Sequence, residues 1–385
     1  MSVTAPGGFV ASGVSSGIRR NGRKDLAIVR SVPRATGAAM FTTNQVQAAP
    51  IRVSKSHLRS AQPQAVVINS GVANAVNGAQ GESDAITMAS ETAALLSLSL
   101  EEVLVLSTGL IGVPLPIDKI SKGLPQVVAS LSDEGGIDAA KAIMTTDTRP
   151  KHSVAATDDF AVGGIAKGSG MIHPALATML AIVTTDYALV PDQASEFLQA
   201  AVESSFNRIS VDGDNSTNDA VILLANGAAE APRVDTEFES ALQQVCRDLA
   251  RQIVADGEGA TLLIEIRVSS AATDEDAVAI ARQIATSSLV KTAAFGRDPN
   301  WGRVIAAAGS ATSDRGPAKV DVDRLELSFN GTALFSNGQP TGGEPDMDAQ
   351  VLKIDLDLGI GDAGASYLST DLTKEYVSIN ADYTT

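Results

Sequence analysis

The sequence has 385 residues, 44% of them hydrophobic and 19% charged, with a formal net charge of −16. That length supports a sizeable core, between one large domain and two or three ordinary ones, and the dispersed charge excludes a disordered chain. An acidic excess of this size repels nucleic acid and anionic membranes, and no apolar run reaches the roughly 18 residues of a membrane span, so the chain reads as cytoplasmic with neither as a partner.

In chain order, the first residues, MSVTAPGGFVASG, lack the basic and apolar regions of a signal peptide. The basic grouping at 19–24 reads as a solvated turn. Residues 26–30 and 65–69 are apolar runs that read as strands, the second ending in a turn at Gly71. Residues 83–96 space their apolar side chains as a helix does, with Asp84 favouring its start. Residues 103–106 read as a strand running into a polar turn, Ser107-Thr108-Gly109. Residues 138–144 read as helix and 161–165 as strand.

The stretch from Gly163 to Gly170 is not a phosphate loop, because Lys167 precedes its glycine; on its residues it reads as a turn with an exposed lysine. Then come a strand at 181–185, a helix at 194–204, a strand at 220–224 and a long amphipathic helix at 237–255. That helix holds Cys246, the single cysteine, which reads as a small buried hydrophobe and excludes an intramolecular disulfide or a cysteine metal cluster. Residues 261–268 alternate as a strand and 274–287 as a helix. An apolar helix or strand is expected at 304–308, and strands at 325–329 and 352–356. The mixture implies a layered α/β or α+β body.

Familiar site patterns fail. Asp212-Gly213-Asp214-Asn215-Ser216 begins like a calcium loop, but its sixth position is Thr217 and its twelfth Leu223, where glycine and a bidentate glutamate belong. Its Asp and Asn read as capping a turn or lining a pocket. His57, His152 and His173 lack metal-ligand spacing, and no G-x-S-x-G elbow occurs. No metal and no cofactor are expected.

The segment Lys167-Gly-Ser-Gly-Met-Ile-His-Pro-Ala-Leu-Ala177-Thr178-Met-Leu180 is unusual. A glycine-rich stretch with one cation leads into an apolar run holding a lone threonine. On the residues alone, Thr178 is a β-branched side chain in a buried strand or helix. The segment, however, resembles the self-cleavage site of the ornithine acetyltransferase family, K-G-x-G-M-x-x-P-x-x-A-T-M-L. Further segments resemble that family in the right order: Ser107-Thr108-Gly109-Leu110-Ile111-Gly112, Met144-Thr145-Thr146-Asp147, Asp212 to Asp219, Glu258-Gly259, Lys291 to Arg303 and the ending Asp371 to Thr385.

The resemblance implies an α+β layered sandwich of the ornithine acetyltransferase/DmpA type, with a smaller C-terminal α/β portion from about 270 to 385. It implies that the chain cuts itself between Ala177 and Thr178, into an α chain, 1–177, and a β chain, 178–385, that build the main domain jointly and associate as an α2β2 heterotetramer. The new α-amine, with a pKa of roughly 7.7–8.0, could take the proton of its own Thr178 hydroxyl. Thr178 would carry acetyl from N2-acetylornithine to glutamate in a two-step cycle of arginine biosynthesis. Thr108 and Gly109 would form the oxyanion hole, where one donor is worth about 3–4 kcal/mol. Thr145, Lys167, Thr178, Glu258, Asn380 and Thr385 would surround the amino acid. Lys167 could pair with a carboxylate and Glu258 with an ammonium.

This chain departs from many relatives at Thr261-Leu262-Leu263, Ile379, Val72 and Val76, near expected substrate contacts. Those changes bear on donor and acceptor choice. The alternatives are an N-acetylglutamate synthase using acetyl-CoA and an N-terminal-nucleophile amidohydrolase or aminopeptidase.

Overall fold

The computed structural model describes residues 2–173, 179–230 and 232–382. Ala177, Thr178 and Thr385 lie outside the described residues. The chain divides into two compact units, one built mainly from Met1–Asn207 and Asp214–Ile253, the other from Arg208–Gly213 and Val254–Tyr383.

The first unit holds two sheets. One has the strands Phe9–Val14, Leu26–Ser31, Ala65–Val72 and Val103–Leu110 side by side in that order, antiparallel except for the last, parallel pair. The other runs Thr36–Phe41, Ala220–Ala225, Leu180–Thr185, Ala161–Lys167 and Lys151–Ala156. Alternation along the first sheet's strands decides what each face meets. Ala27, Val29, Val66, Ile68, Leu104 and Leu106 share a core with Ile165, Leu180, Ile182, Ile222 and Leu224 of the second sheet. The intervening Leu26, Ile28, Val67, Val103 and Val105 pack instead against the helices Gly78–Leu96 and Ile117–Ala129.

The second sheet's far face carries the helices Pro191–Glu203 and Asp235–Ala255. There Phe238 stacks on Tyr187 at 4.9 Å and meets the edge of Phe197 at 5.3 Å. A Cβ on Gly164 would lie 2.9 Å from Leu249 and 3.0 Å from Val245, so this glycine lets the long helix settle on the sheet. The order is helices, sheet, sheet, helices. Strands 180–185 and 220–225 are buried along their whole length, as expected of strands covered on both faces.

Val103–Leu110 is an edge strand, and the helix Ala49–Ser60 seals it. Ser54 Oγ donates to the Val105 carbonyl at 2.7 Å and accepts its N–H at 2.8 Å, and His57 Nδ1 lies 2.8 Å from the Val103 carbonyl. The covered backbone groups would otherwise invite another strand. His57 is thereby a structural side chain.

The second unit contains a seven-stranded sheet in which Leu263–Ala271 pairs in parallel with the central strand Val351–Asp357 and antiparallel with Ala363–Thr370. Ile264, Ile266, Val268, Ile354 and Leu356 meet Ile280 and Ile284 of the helix Asp274–Thr286 and Val304 of the helix Trp301–Gly309. The strand 263–271 is an interior strand of this sheet, paired on both sides. No helix among the described residues is long and apolar enough to cross a membrane.

Candidate active site

Thr108 and Gly109 do not form a turn. The strand continues through them to Leu110, and Gly71, expected to end its own strand, pairs with Gly109 across the ladder. Register shifts at Val72, which opposes both Thr108 and Leu110. Gly109 has φ +131°, and a Cβ there would sit 2.3 Å from the Gly71 carbonyl carbon. Only glycine fits. Around this bulge, Asn218 Nδ2 donates to the carbonyls of Ala73 at 2.7 Å and Ser107 at 2.8 Å. Ser107 Oγ donates to Asn69 Oδ1 at 2.5 Å, and Asn69 Nδ2 donates to the Val72 carbonyl. The Thr108 side chain is buried.

Lys167 overturns the exposed-lysine expectation. It is the last residue of the strand Ala161–Lys167 and is 1% exposed. A buried ammonium needs compensation, and Asp147 supplies it. Asp147 Oδ1 accepts from Lys151 Nζ at 2.6 Å and from the Gly168 N–H at 2.7 Å, while Oδ2 accepts from the Thr145 N–H at 2.9 Å. Burial by itself would raise the Asp147 carboxyl. The charges of Lys167 and Lys151 and the Gly168 hydrogen bond overcome it and hold that carboxyl well below the usual carboxylate range. One aspartate therefore ties together two of the expected substrate residues, Thr145 and Lys167.

Sequence reasoning missed Arg19. It is half-buried, and its guanidinium donates to the carbonyls of Met144 at 2.7 Å and Thr145 at 2.8 Å, so the segment it opens is not wholly a solvated turn. Its peptide N–H is bound by Asp25 Oδ2 at 2.8 Å. The only sequence cue was the lone aspartate following a basic cluster.

In the second unit, Asn380 Nδ2 donates to Glu258 Oε2 at 2.9 Å and to the Tyr376 carbonyl at 3.0 Å. Gly259, at φ +66°, lies against the start of the helix Lys374–Asp382, where a Cβ would meet the Tyr376 nitrogen at 2.5 Å. Thr373 Oγ1 donates to the Gly259 carbonyl at 2.8 Å. Thr261, at the head of the departing Thr261-Leu262-Leu263, is held by Asp371, which accepts its N–H at 2.9 Å and its hydroxyl at 2.5 Å. The structure thus groups Thr108, Gly109, Thr145 and Lys167 in one unit, and Glu258 with Asn380 in the other.

The sequence profile of the ArgJ family matches residues 10–385. The chain belongs to the ArgJ family. Its similarity to an individual ArgJ relative, the arginine biosynthesis bifunctional protein ArgJ of Thermobifida fusca (strain YX), is 44% identity over 388 residues, the full length of both. The protein of that name from Symbiobacterium thermophilum is 45% identical over 400 residues, covering 100% of this chain and 98% of its own. Among solved structures, ornithine acetyltransferase complexed with ornithine from Mycobacterium tuberculosis is 45% identical, covers 46% of this chain and 96% of its own, and superposes with a TM-score of 0.45.

Proposed function

We propose that this chain transfers acetyl from N2-acetyl-L-ornithine to L-glutamate in arginine biosynthesis, through an acetyl ester on Thr178 after self-cleavage at Ala177. Acetyl-Thr178 forms as ornithine leaves, and the amine of glutamate then collects the acetyl group, giving N-acetylglutamate. Thr108 and Gly109 stabilise the oxyanion. Substrate binding falls to Thr145, Lys167 and Thr178 in one unit, with Glu258, Asn380 and the terminal Thr385 from the later sequence.

The observation that carries this reading is the buried ammonium of Lys167, held by Asp147 at the end of the strand that leads into the segment containing Thr178. A cation kept in a low-dielectric site, beside a loop threonine tied to the same aspartate, suits the carboxylate of an amino-acid substrate. Family membership over residues 10–385 supports the reading. The processed halves assemble as an α2β2 heterotetramer in the cytoplasm. A second reading, synthesis of N-acetylglutamate from acetyl-CoA, is favoured by the relatives' being named bifunctional.

Intact mass under denaturing conditions tests the nucleophile. Two fragments are expected, one beginning Thr-Met-Leu. A chain that stays whole on prolonged incubation would sink the reading. Assays with acetylornithine and with acetyl-CoA as donor then separate the two transferase activities, and acetate released without an acceptor would point to hydrolysis.

A further inference from the structure

The proposed cut leaves one chemical step without an agent. Once cleavage has freed the α-amine of Thr178, that amine can take the hydroxyl proton. Before cleavage the same nitrogen is an amide and cannot. Another group must serve. His57 is committed to the backbone of the edge strand.

Asp219 is a buried carboxylate bonded to the residue that follows Thr178. It immediately precedes the strand Ala220–Ala225 and is 0% exposed. Its Oδ1 accepts the N–H of Met179, the residue joined to Thr178 by a single peptide bond, at 3.0 Å. Ala220 N–H returns a bond to the Met179 carbonyl at 3.2 Å, and Thr42 N–H donates to the Asp219 carbonyl at 3.0 Å, so backbone and carboxylate are both fixed. The other oxygen, Oδ2, is buried with no hydrogen-bond partner among the described residues. An oxygen left unsatisfied there would cost about 1–3 kcal/mol, so Oδ2 calls for a partner.

We propose that Asp219 is the proton acceptor for self-cleavage. Its Oδ2 takes the proton of Thr178 Oγ as Oγ bonds to the Ala177 carbonyl carbon. The same proton passes to the Thr178 nitrogen as the carbon–nitrogen bond breaks, leaving an ester on Thr178 and a free α-amine. Water adds to the ester; its oxygen stays on Ala177 as carboxylate, and Oγ regains a proton. Only water is consumed. The inference rests on the reading of Thr178 as the self-cleaving residue.

Burial pushes the Asp219 carboxyl well above its ordinary value, with the Met179 N–H and the Lys167 charge opposing. Lys167 is the charged group of the two; the Met179 N–H is a neutral donor. Asp219 is therefore a stronger base than a surface carboxylate, and it ionises later as pH rises. Self-cleavage accordingly accelerates with pH through its titration.

The test uses full-length chain made by cell-free synthesis, followed by denaturing intact mass over time from about pH 5 to 9. Wild type, Asp219→Asn and Thr178→Ala are compared, with folding checked by circular dichroism. The amide of Asp219→Asn keeps an oxygen for Met179 and loses the base. Wild type should split, faster at higher pH. Asp219→Asn should split about 100-fold more slowly without that pH dependence, the usual span of a lost general base. If wild type stays whole, the Thr178 reading itself falls. If wild type splits and folded Asp219→Asn keeps pace within a few-fold, cleavage stands and Asp219 is overturned. Should Asp219→Asn not fold, the wild-type profile decides: a rate that falls as pH rises overturns the proposal, since a carboxylate base can only gain with pH.

Discussion

Asp147 uses both carboxylate oxygens inside the protein, and the lysine it steadies was legible only as a letter in a motif. The sequence shows Asp147 and Lys151 four apart and Lys167 after a run of glycines, which reads as an exposed turn. Burial of Lys167 follows from the strand pairing of residues 161–167 with neighbours on both sides, which no local pattern announces. Asp147→Asn removes the compensating charge from two buried ammoniums. Breaking such a cluster costs about 3–5 kcal/mol. The expected outcome is a lower melting temperature, and a KM for glutamate raised more than kcat falls, because Thr145 and Lys167 lose their shared anchor. Because the Asp147 carboxyl is held low in the fold, its contribution is present above the ordinary carboxylate range and is lost progressively as pH falls from that range towards the lowered folded value. The reading of Thr178, by contrast, rests solely on resemblance, since a threonine in an apolar run says nothing by itself.

Among the elements, those with strong periodicity declared themselves. Strands 26–31, 65–72 and 220–225 and the helices 235–255 and 274–286 were expected within a few residues of where they lie. Phe9–Val14 and Thr36–Phe41 were missed because glycine, alanine and serine dominate them, so their alternation carries little hydrophobic contrast. Ile117–Ala129 holds Pro125, a breaker that hid the helix, although its buried face of Ile120, Leu124 and Val127 is apolar. The extension of Val103–Leu110 through Thr108 and Gly109 could not be read either, because it depends on a partner strand bending at Gly71. Gly109→Ala tests that geometry. A methyl group at 2.3 Å from the Gly71 carbonyl carbon must push the two strand ends apart. Transfer should fall at least about 100-fold, the scale of one lost oxyanion donor, while the far ends of both strands keep their hydrogen-exchange protection.

For the whole molecule, the sequence suggested a smaller C-terminal portion but not that Arg208–Gly213 would join it. That short piece supplies the Val211 carbonyl, which accepts from Lys291 Nζ at 2.5 Å in the interior of the second unit. Burial pushes the Lys291 ammonium down to about 8, against the pull of Asp212 and Asp371. The unfolded chain therefore holds its proton to higher pH than the fold does. Stability should rise as pH climbs from about 8 towards the ordinary lysine value, by up to about 3 kcal/mol. Comparing wild type with Lys291→Met isolates this, since the buried Cys246 and Tyr367, both pushed up to about 12, act equally in each. The stability gap between the two proteins should change across that pH window in favour of wild type; a constant gap would contradict the assignment.

The strand Leu180–Thr185 begins just beyond the proposed cut and is hydrogen-bonded on one side to Ala161–Lys167, from before the cut, and on the other to Ala220–Ala225, from after it. Severing the chain would leave this seam closed, and the native body would lose nothing by it. The unfolded state would lose a great deal, because the two pieces would no longer be leashed together. Melting would then scatter two solutes, and recovery would become a second-order encounter whose yield falls on dilution. A mature molecule of this kind folds once as one chain and afterwards survives by never coming apart.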